Sequence, residues 1–352
     1  MTSPTEDGVR MMAGGYPFDG ADLPHHGGDV AAAARAFGLP RTGWLDLSTA
    51  VNPHAYPVAS ISYEGNLRLP DSDDDRSLRE AAAGYYRAPD ACSVVPAPGS
   101  QALIRWLPRL RARSRVAVVG TTFAEHARSW RIAGHEVALV PELDEAAVGF
   151  DVVVLCNPNT PDGRRTAPDR LVGEARRLAA DGGWLVVDEA FADLAPDVSV
   201  AAAACPGLVV LRSFGKFFGL PGLRLGFAVA DADLARTLSD ALGPWAVSGW
   251  AGAIACAAFA DEAWIEGMRA TLARDAQRMD ALLADHALEV VAGTALFHVV
   301  ETPNAKRIFE SLASARILVR WFPDMPGSLR FGLPGPRRDW ERLRRALEGA
   351  AG

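Results

Sequence analysis

One lysine in this 352-residue chain stands where an amine could be made nucleophilic. It lies in Ser213-Phe-Gly-Lys216-Phe-Phe-Gly-Leu-Pro-Gly-Leu-Arg224-Leu-Gly226, which leaves one apolar run (208–211) and returns to another (225–230). Aromatics and glycines surround it. Burial disfavours the ammonium form, so a lysine desolvated in such a setting loses its proton more easily, and a neutral amine can form an imine with a carbonyl. Taken alone, Lys216 could equally be a structural or surface lysine that keeps its head in water.

Other segments carry complementary groups. A pyridoxal-phosphate site needs a carboxylate that keeps the pyridine nitrogen protonated, a donor to the phenolate oxygen, a partner for the ring face and a cradle for the phosphate. Asp188 ends the strand-like run 184–187 and could supply the carboxylate; a helix-capping or ion-paired acid is the alternative. Asn157 follows the run 151–156 and offers an amide, although Asn-Pro-Asn is also an ordinary turn. Phe123 could stack on the ring or simply fill the core. Gly99-Ser100-Gln101 opens a helical segment, and a Gly-led helix start offers N–H groups and a favourable dipole to an anion. Ser213 and Arg224 could add a hydroxyl and a guanidinium to the same anion.

These residues need elements that bring them together, and the chain has the rhythm for it. Strand-like runs at 116–119, 137–140, 151–156, 184–187 and 208–211 alternate with helical spacing at 123–133 and 168–180. Such βαβ alternation predicts an α/β fold with a mostly parallel sheet between helices, and ligands bind beyond the carboxyl ends of such strands. The continuous Val/Leu run at 151–156 is of the kind buried on both faces. An S-x-x-D start at Ser72 and Asp75 precedes helical spacing through Tyr85, and the acid run 71–75 reads as a helix N-terminus rather than a metal site. Beyond residue 244 the pattern changes to a long helix (264–286), two short strands (296–300 and 317–321) and a last helix from Arg338, which together read as a smaller α+β domain. The expected domains are 1–50 (an N-terminal arm and part of the small domain), 51–243 (large) and 244–352 (small).

Composition narrows the function. With 49% hydrophobic and 22% charged residues the chain is ordinary for a globular protein, and a net charge of −7 argues against a nucleic-acid partner. The four cysteines, Cys92, Cys156, Cys205 and Cys256, form no CxxC pair, so neither a disulfide framework nor a zinc site is expected. The adjacent His25 and His26 cannot easily point to one ion, and no metal is expected. Residues 1–20 lack the apolar core of a secretory signal, no run is long enough for a membrane span, and a cytoplasmic setting is the expectation. The glycines at 219, 222 and 226 match neither a dinucleotide fingerprint nor a phosphate-binding P-loop, which weakens a non-catalytic nucleotide-binding reading.

The order Gly99-Ser100-Gln101, Phe123, Asn157-Pro-Asn, Asp188-Glu-Ala and Ser-x-x-Lys-x7-Arg resembles the fold-type-I, class I/II aminotransferase family over nearly the whole chain. The resemblance implies a pyridoxal 5'-phosphate cofactor carried by Lys216, a homodimer with shared active sites, and a substrate-carboxylate role for Arg330 in Ser-Leu-Arg-Phe-Gly-Leu-Pro. The segments His26-Gly27-Gly28-Asp29, 44–53 and Pro244-Trp-Ala-Val-Ser248 resemble the branch of that family that decarboxylates L-threonine O-3-phosphate in cobalamin biosynthesis. That narrower resemblance implies a phosphorylated amino-acid substrate, with His26, Gly27, Gly28 and Asn52 helping to receive its phosphate; a flexible arm without ligands is the other reading of the N-terminal segment. An aminotransferase for a phosphorylated amine such as histidinol phosphate is the alternative activity. Three departures stand out: Phe191 where a tyrosine is usual, Leu69 where a tyrosine commonly reaches the neighbouring subunit, and Asp162 where threonine is commoner.

Overall fold

In the computed structural model, which describes residues 26–58, 67–89, 94–146, 148–203 and 206–351, the chain opens with α1 (Val30–Ala36), β1 (Leu45–Asp46) and α2 (Ser72–Tyr86). The expectations for residues 1–20, His25, Cys92 and Cys205 fall outside these residues. The capping box of α2 is formed by Asp71 and Asp74, one residue ahead of the Ser72 and Asp75 pair. Asp71 accepts from the N–H groups of Asp73 and Asp74, and the Asp74 carboxylate accepts from the N–H of Asp71. The acid run is thereby accounted for by the helix start.

Next come β2 (Val94–Ala97), α3 (Ser100–Trp106), β3 (Arg115–Val119), α4 (Glu125–Ile132), β4 (Glu136–Val140), β5 (Val152–Cys156), α5 (Pro168–Ala180), β6 (Trp184–Asp188), β7 (Leu208–Ser213), α6 (Phe214–Phe217), β8 (Gly226–Val229) and α7 (Ala232–Leu242). Their strands form one seven-stranded sheet in the order β2-β8-β7-β6-β5-β3-β4. From β7 to β4 every pairing is parallel, while β8 runs against both its neighbours. Alternate residues feed two cores. Val153, Leu155, Leu208 and Val210 pack on one face, and Val152, Val154, Val209 and Leu211 on the other. That is why the runs at β5 and β7 are continuously apolar rather than alternating. Helix α5 begins with Pro168 at its first turn and buries Leu171, Ala175 and Leu178 at helical spacing.

The remaining elements are α8 (Gly249–Ala260), α9 (Glu262–Ala284), β9 (Val290–Thr294), β10 (Phe297–Glu301), α10 (Ala305–Ser314), β11 (Ile317–Leu318), β12 (Arg320–Phe322), β13 (Met325–Gly332) and α11 (Arg337–Ala351). A four-stranded antiparallel sheet has the order β12-β13-β10-β9. The single strand expected at 317–321 is divided: β11 pairs in parallel with β1, Leu45 opposite Ile317 and Asp46 opposite Leu318, and β12 turns back onto β13. The N-terminal segment is thereby carried to β11 and, through the Gly332 N–H donating to the Leu47 carbonyl at 2.7 Å, to the end of β13, just ahead of the residues that meet Lys216. Among the described residues no helix is long and apolar enough to cross a membrane.

Candidate active site

Strand β7 ends at Ser213 and passes directly into the single turn of α6, which sets Lys216 at the carboxyl edge of the sheet. Its Nζ donates to the carbonyl of Thr49 at 2.8 Å and lies 5.6 Å from the centre of the Phe191 ring. Desolvation and the Arg330 charge lower the amine pKa from its ordinary 10.5 to about 8, with Arg224 adding to the drop and Asp188 and Asp46 opposing it. The structure therefore brings Lys216, Asp188, Arg224 and Arg330 into one electrostatic neighbourhood. Phe191 is buried and offers the lysine a ring face in place of a tyrosine hydroxyl.

Asp188 closes β6 and is buried. Its Oδ1 accepts from the N–H of Ala190 at 3.0 Å, and its Oδ2 accepts from His126 Nε2 at 2.9 Å. Burial works against the charge on His126, but Cys156 and Asp188 beside it prevail and raise its pKa to about 10. The buried carboxylate thereby favours the protonated imidazole that donates to it. Sequence reasoning missed His126; its position one helical turn beyond Phe123 was the available signal. The next residues lock the strand ends. Arg212 on β7 is buried and pairs with Glu189 at 2.6 Å and Asp193 at 2.5 Å, tying the end of β6 to that of β7.

The phosphate-side residues gather at the start of α3. Gly99 has φ +81° and precedes Ser100 and Gln101, whose N–H groups lie in a first turn that has no intrahelical acceptors. A Cβ on Gly99 would lie 2.8 Å from Arg224 Nη2, so only glycine leaves that guanidinium over the helix start. Arg224 is itself held in the left-handed region at φ +53°. The free N–H groups, the glycine-shaped approach and the guanidinium fit a phosphate. The Gln101 side chain turns aside, its Nε2 donating to Glu125 Oε2 at 2.9 Å. Phe123 is half-buried, with its ring 5.6 Å from that of His26 and 6.1 Å from that of His126.

Asn157, just beyond β5, is held by backbone. It is fully buried; Nδ2 donates to the carbonyls of Thr166 at 3.1 Å and Val198 at 3.2 Å, and Oδ1 accepts from the N–H of Thr166 at 2.8 Å. Both amide hydrogens point to backbone carbonyls in this structure. The same loop presents Thr160, whose Oγ1 accepts from Arg330 Nη1 at 2.8 Å. Asp162 also finds its reason here: its Oδ1 accepts from Asn159 Nδ2 at 2.7 Å and from the N–H of Arg164 at 3.0 Å, closing the turn.

Arg330 projects from β13 with Nη2 donating to the carbonyl of Ser48 at 2.7 Å, while its Nε is buried without a partner. Burial and the charge of Arg320 lower its pKa from the usual guanidinium range to about 10. Arg320 is its direct cross-strand partner and was not identified from the sequence. Both guanidiniums lie against the Phe322 ring, at 5.4 and 5.9 Å. Like charges directly opposite each other on a sheet are unfavourable unless an anion joins them. The His26-Gly27-Gly28 turn packs on Ser48: Gly28 N–H donates to Ser48 Oγ at 2.8 Å, and a Cβ on Gly27 would lie 2.3 Å from Ser48 O. Asn52 meets the lysine turn. Its Nδ2 donates to the carbonyl of Phe217 at 2.7 Å and its N–H to that of Lys216 at 3.0 Å, so it braces that turn.

Residues 55–348 match the family profile of aminotransferase class I and II. A threonine-phosphate decarboxylase of Pseudomonas aeruginosa is 44% identical over 330 residues, covering 92% of this chain and 97% of that protein. A threonine-phosphate decarboxylase of a Sinorhizobium species is 42% identical over 330 residues, 93% of this chain and 98% of that protein. The histidinol-phosphate aminotransferase of Sinorhizobium meliloti, solved in complex with pyridoxal-5'-phosphate, shares the fold with a TM-score of 0.79 at 22% identity, with 98% of each chain covered. A mostly parallel seven-stranded sheet with its lysine one turn beyond β7, and sequence similarity that runs almost end to end, lead to one assignment: this chain belongs to the class I and II aminotransferase family.

Proposed function

We propose that this chain carries pyridoxal 5'-phosphate on Lys216 and decarboxylates L-threonine O-3-phosphate to (R)-1-amino-2-propanol O-2-phosphate, a step of cobalamin biosynthesis. The observation that carries the reading is the cross-strand pair Arg320 and Arg330, two guanidiniums on one sheet face, of which Arg330 acts on the Lys216 amine. Such a pair suits a small substrate with two anionic groups. Near-full-length similarity to two threonine-phosphate decarboxylases narrows that class to the phosphorylated amino acid.

Bound here, pyridoxal phosphate supplies an electron sink for the pair released when a bond to the substrate Cα breaks. Ser100, Gln101, Ser213 and Arg224 would hold its phosphate through N–H groups, a hydroxyl and a guanidinium. Asp188, backed by His126, would pair with the ring nitrogen, and Phe123 would cover the ring. Asn157 and Thr160 lie on one loop at this side of the site, the first held by backbone and the second accepting from Arg330. Arg330 offers its unpartnered Nε to the substrate carboxylate, and Arg320, with the His26-Gly27-Gly28 turn, the positive side of the pocket to the substrate phosphate. The direction in which Arg330 and the phosphate-side groups hold the substrate would decide which bond to Cα breaks, and Lys216 Nζ would return a proton to Cα.

The same reading makes the protein a homodimer. Leu67, Leu69 and Trp245 are exposed, and a cavity of about 570 Å³ opens between Pro70 and Trp245, a surface suited to a second copy. Cys156 and Cys256 are free thiols, in keeping with a reducing cytoplasm. The test of activity is incubation with threonine phosphate alone. Carbon dioxide and the amino-propanol phosphate are expected in equal amounts; transfer of nitrogen to 2-oxoglutarate would show an aminotransferase instead. Sedimentation at twice the chain mass checks the dimer.

A further inference from the structure

Glu125, the first residue of α4, is an acid that the chemistry above does not use. It is buried, and every one of its acceptor directions is occupied. Its Oε2 accepts from Gln101 Nε2 at 2.9 Å and Arg105 Nη2 at 2.9 Å, both on α3 one turn apart. Its Oε1 accepts from Arg128 Nη1 at 3.0 Å and His26 Nε2 at 3.3 Å. Burial works against the charge, but Arg128, Arg105 and His26 together hold the carboxyl below its usual range. Three parts of the site thus meet at one carboxylate: the start of α3, which faces the cofactor phosphate; the turn after Phe123; and the segment that opens with His26. Of the described contacts of His26, one is this bond and the other is the Phe123 ring at 5.6 Å.

We propose that Glu125 is a positioning residue that couples occupancy of the cofactor cradle to closure of the His26-Gly27-Gly28 turn over the substrate. The inference rests on the assigned cofactor site and deepens the reading of that turn as part of the substrate pocket. An anion bound at the first turn of α3 fixes Ser100 and Gln101, and the Gln101 amide then holds Glu125 where it meets His26. Coupling between two sites is reciprocal, so a substrate that closes the turn also tightens the cofactor, by a factor on the order of ten.

Hydrogen exchange on the full chain tests this without reference to substrate. The cofactor-free protein is compared with the same protein after addition of pyridoxal 5'-phosphate, following backbone amides of residues 26–36. In the wild type, exchange there should slow about tenfold on cofactor addition. Glu125→Ala should abolish that protection. Glu125→Gln keeps the size and one acceptor oxygen, guards against a folding failure, and should retain only part of the protection. In turnover, Glu125→Gln should lose efficiency through a raised KM for threonine phosphate rather than a lowered kcat, a split that general destabilisation does not produce. Equal protection in Glu125→Ala and wild type, or none in the wild type, overturns the coupling. A wild type that forms the cofactor adduct but releases no carbon dioxide rejects the decarboxylase reading and leaves the exchange result standing.

Discussion

Lys216 should be a liability for stability in the cofactor-free protein, and the size of that liability can be worked from its surroundings. The amine has a pKa of about 8 in place of 10.5, because burial and Arg330 oppose its charge. At about 1.4 kcal/mol per pH unit, the charged lysine costs the native state about 3 kcal/mol at pH 7. Replacing it by methionine also removes the bond to the Thr49 carbonyl, worth about 1 kcal/mol. Lys216→Met should therefore stabilise the cofactor-free protein by about 2 kcal/mol at pH 7. The sign follows from a basic group whose pKa falls on folding. Between pH 8 and 10.5 the unfolded chain binds the proton and the native chain does not, so wild-type stability rises relative to the variant across that window. Above it the amine is neutral in both states, and the wild type should lead by the Thr49 bond alone. Urea unfolding of both proteins, stripped of cofactor because bound ligand adds its own stabilisation, gives the difference at each pH. A variant less stable than wild type at pH 7, or a difference unchanged between pH 7 and 10.5, would refute the reasoning.

Three further variants carry expected outcomes. His126→Gln removes a charged donor from Asp188 and should weaken cofactor binding and kcat about 10- to 100-fold, read by absorbance titration and steady-state rates. Because the His126 pKa rises from 6.5 to about 10 on folding, its contribution to stability is complete below pH 6.5 and is lost as pH climbs through 10, so unfolding curves of wild type and His126→Gln should converge over that range. Asn157→Ala strips three hydrogen bonds from buried backbone and should lower stability by about 2–4 kcal/mol in urea while leaving the visible absorbance of the bound cofactor in place. Arg320→Met should cost threonine phosphate about 2–4 kcal/mol in kcat/KM and leave any reaction of unphosphorylated threonine little changed, as measured by carbon dioxide release.

Much of the large sheet was legible because period and burial agree there. Helix α5 matches its expected limits, and the strands at 116–119, 137–140, 151–156, 184–187 and 208–211 are each extended by a residue or two or trimmed by one at their ends. Strand β13, which carries Arg330, was not legible as an element, since Pro326 and Gly327 interrupt its pattern. Among side chains, Lys216 and Asp188 could be read because each follows a long apolar strand, and such strand ends face ligands. Asn157 too follows a strand, and the two carbonyls that meet its amide, those of Thr166 and Val198, are announced by no local pattern. His126 and Arg320 were missed because each acts through a tertiary neighbour, Asp188 for one and Arg330 for the other.

The deeper reason lies in residues 46–52, where backbone rather than side chains completes the site. Pairing of β1 with β11 delivers this segment to the lysine turn. There the Ser48 carbonyl holds Arg330, the Thr49 carbonyl holds the Lys216 amine, and the N–H of Asn52 holds the Lys216 carbonyl. Ala50 between them is buried with φ +52°, a conformation that non-glycine residues adopt only when their surroundings impose it. The imposing contacts are local and visible: Asp46 Oδ1 accepts from the N–H and the hydroxyl of Ser48, and Ser48 Oγ in turn accepts from Gly28. One strap therefore sets the resting position of the amine, the direction of the substrate arginine and the seat of the His26 turn together. A carbonyl has the same chemistry in every residue type, so a site completed by carbonyls leaves no residue pattern to read. What the sequence does carry is the means of bending the strap: an aspartate two residues before a serine, and glycines opposite that serine where no side chain would fit.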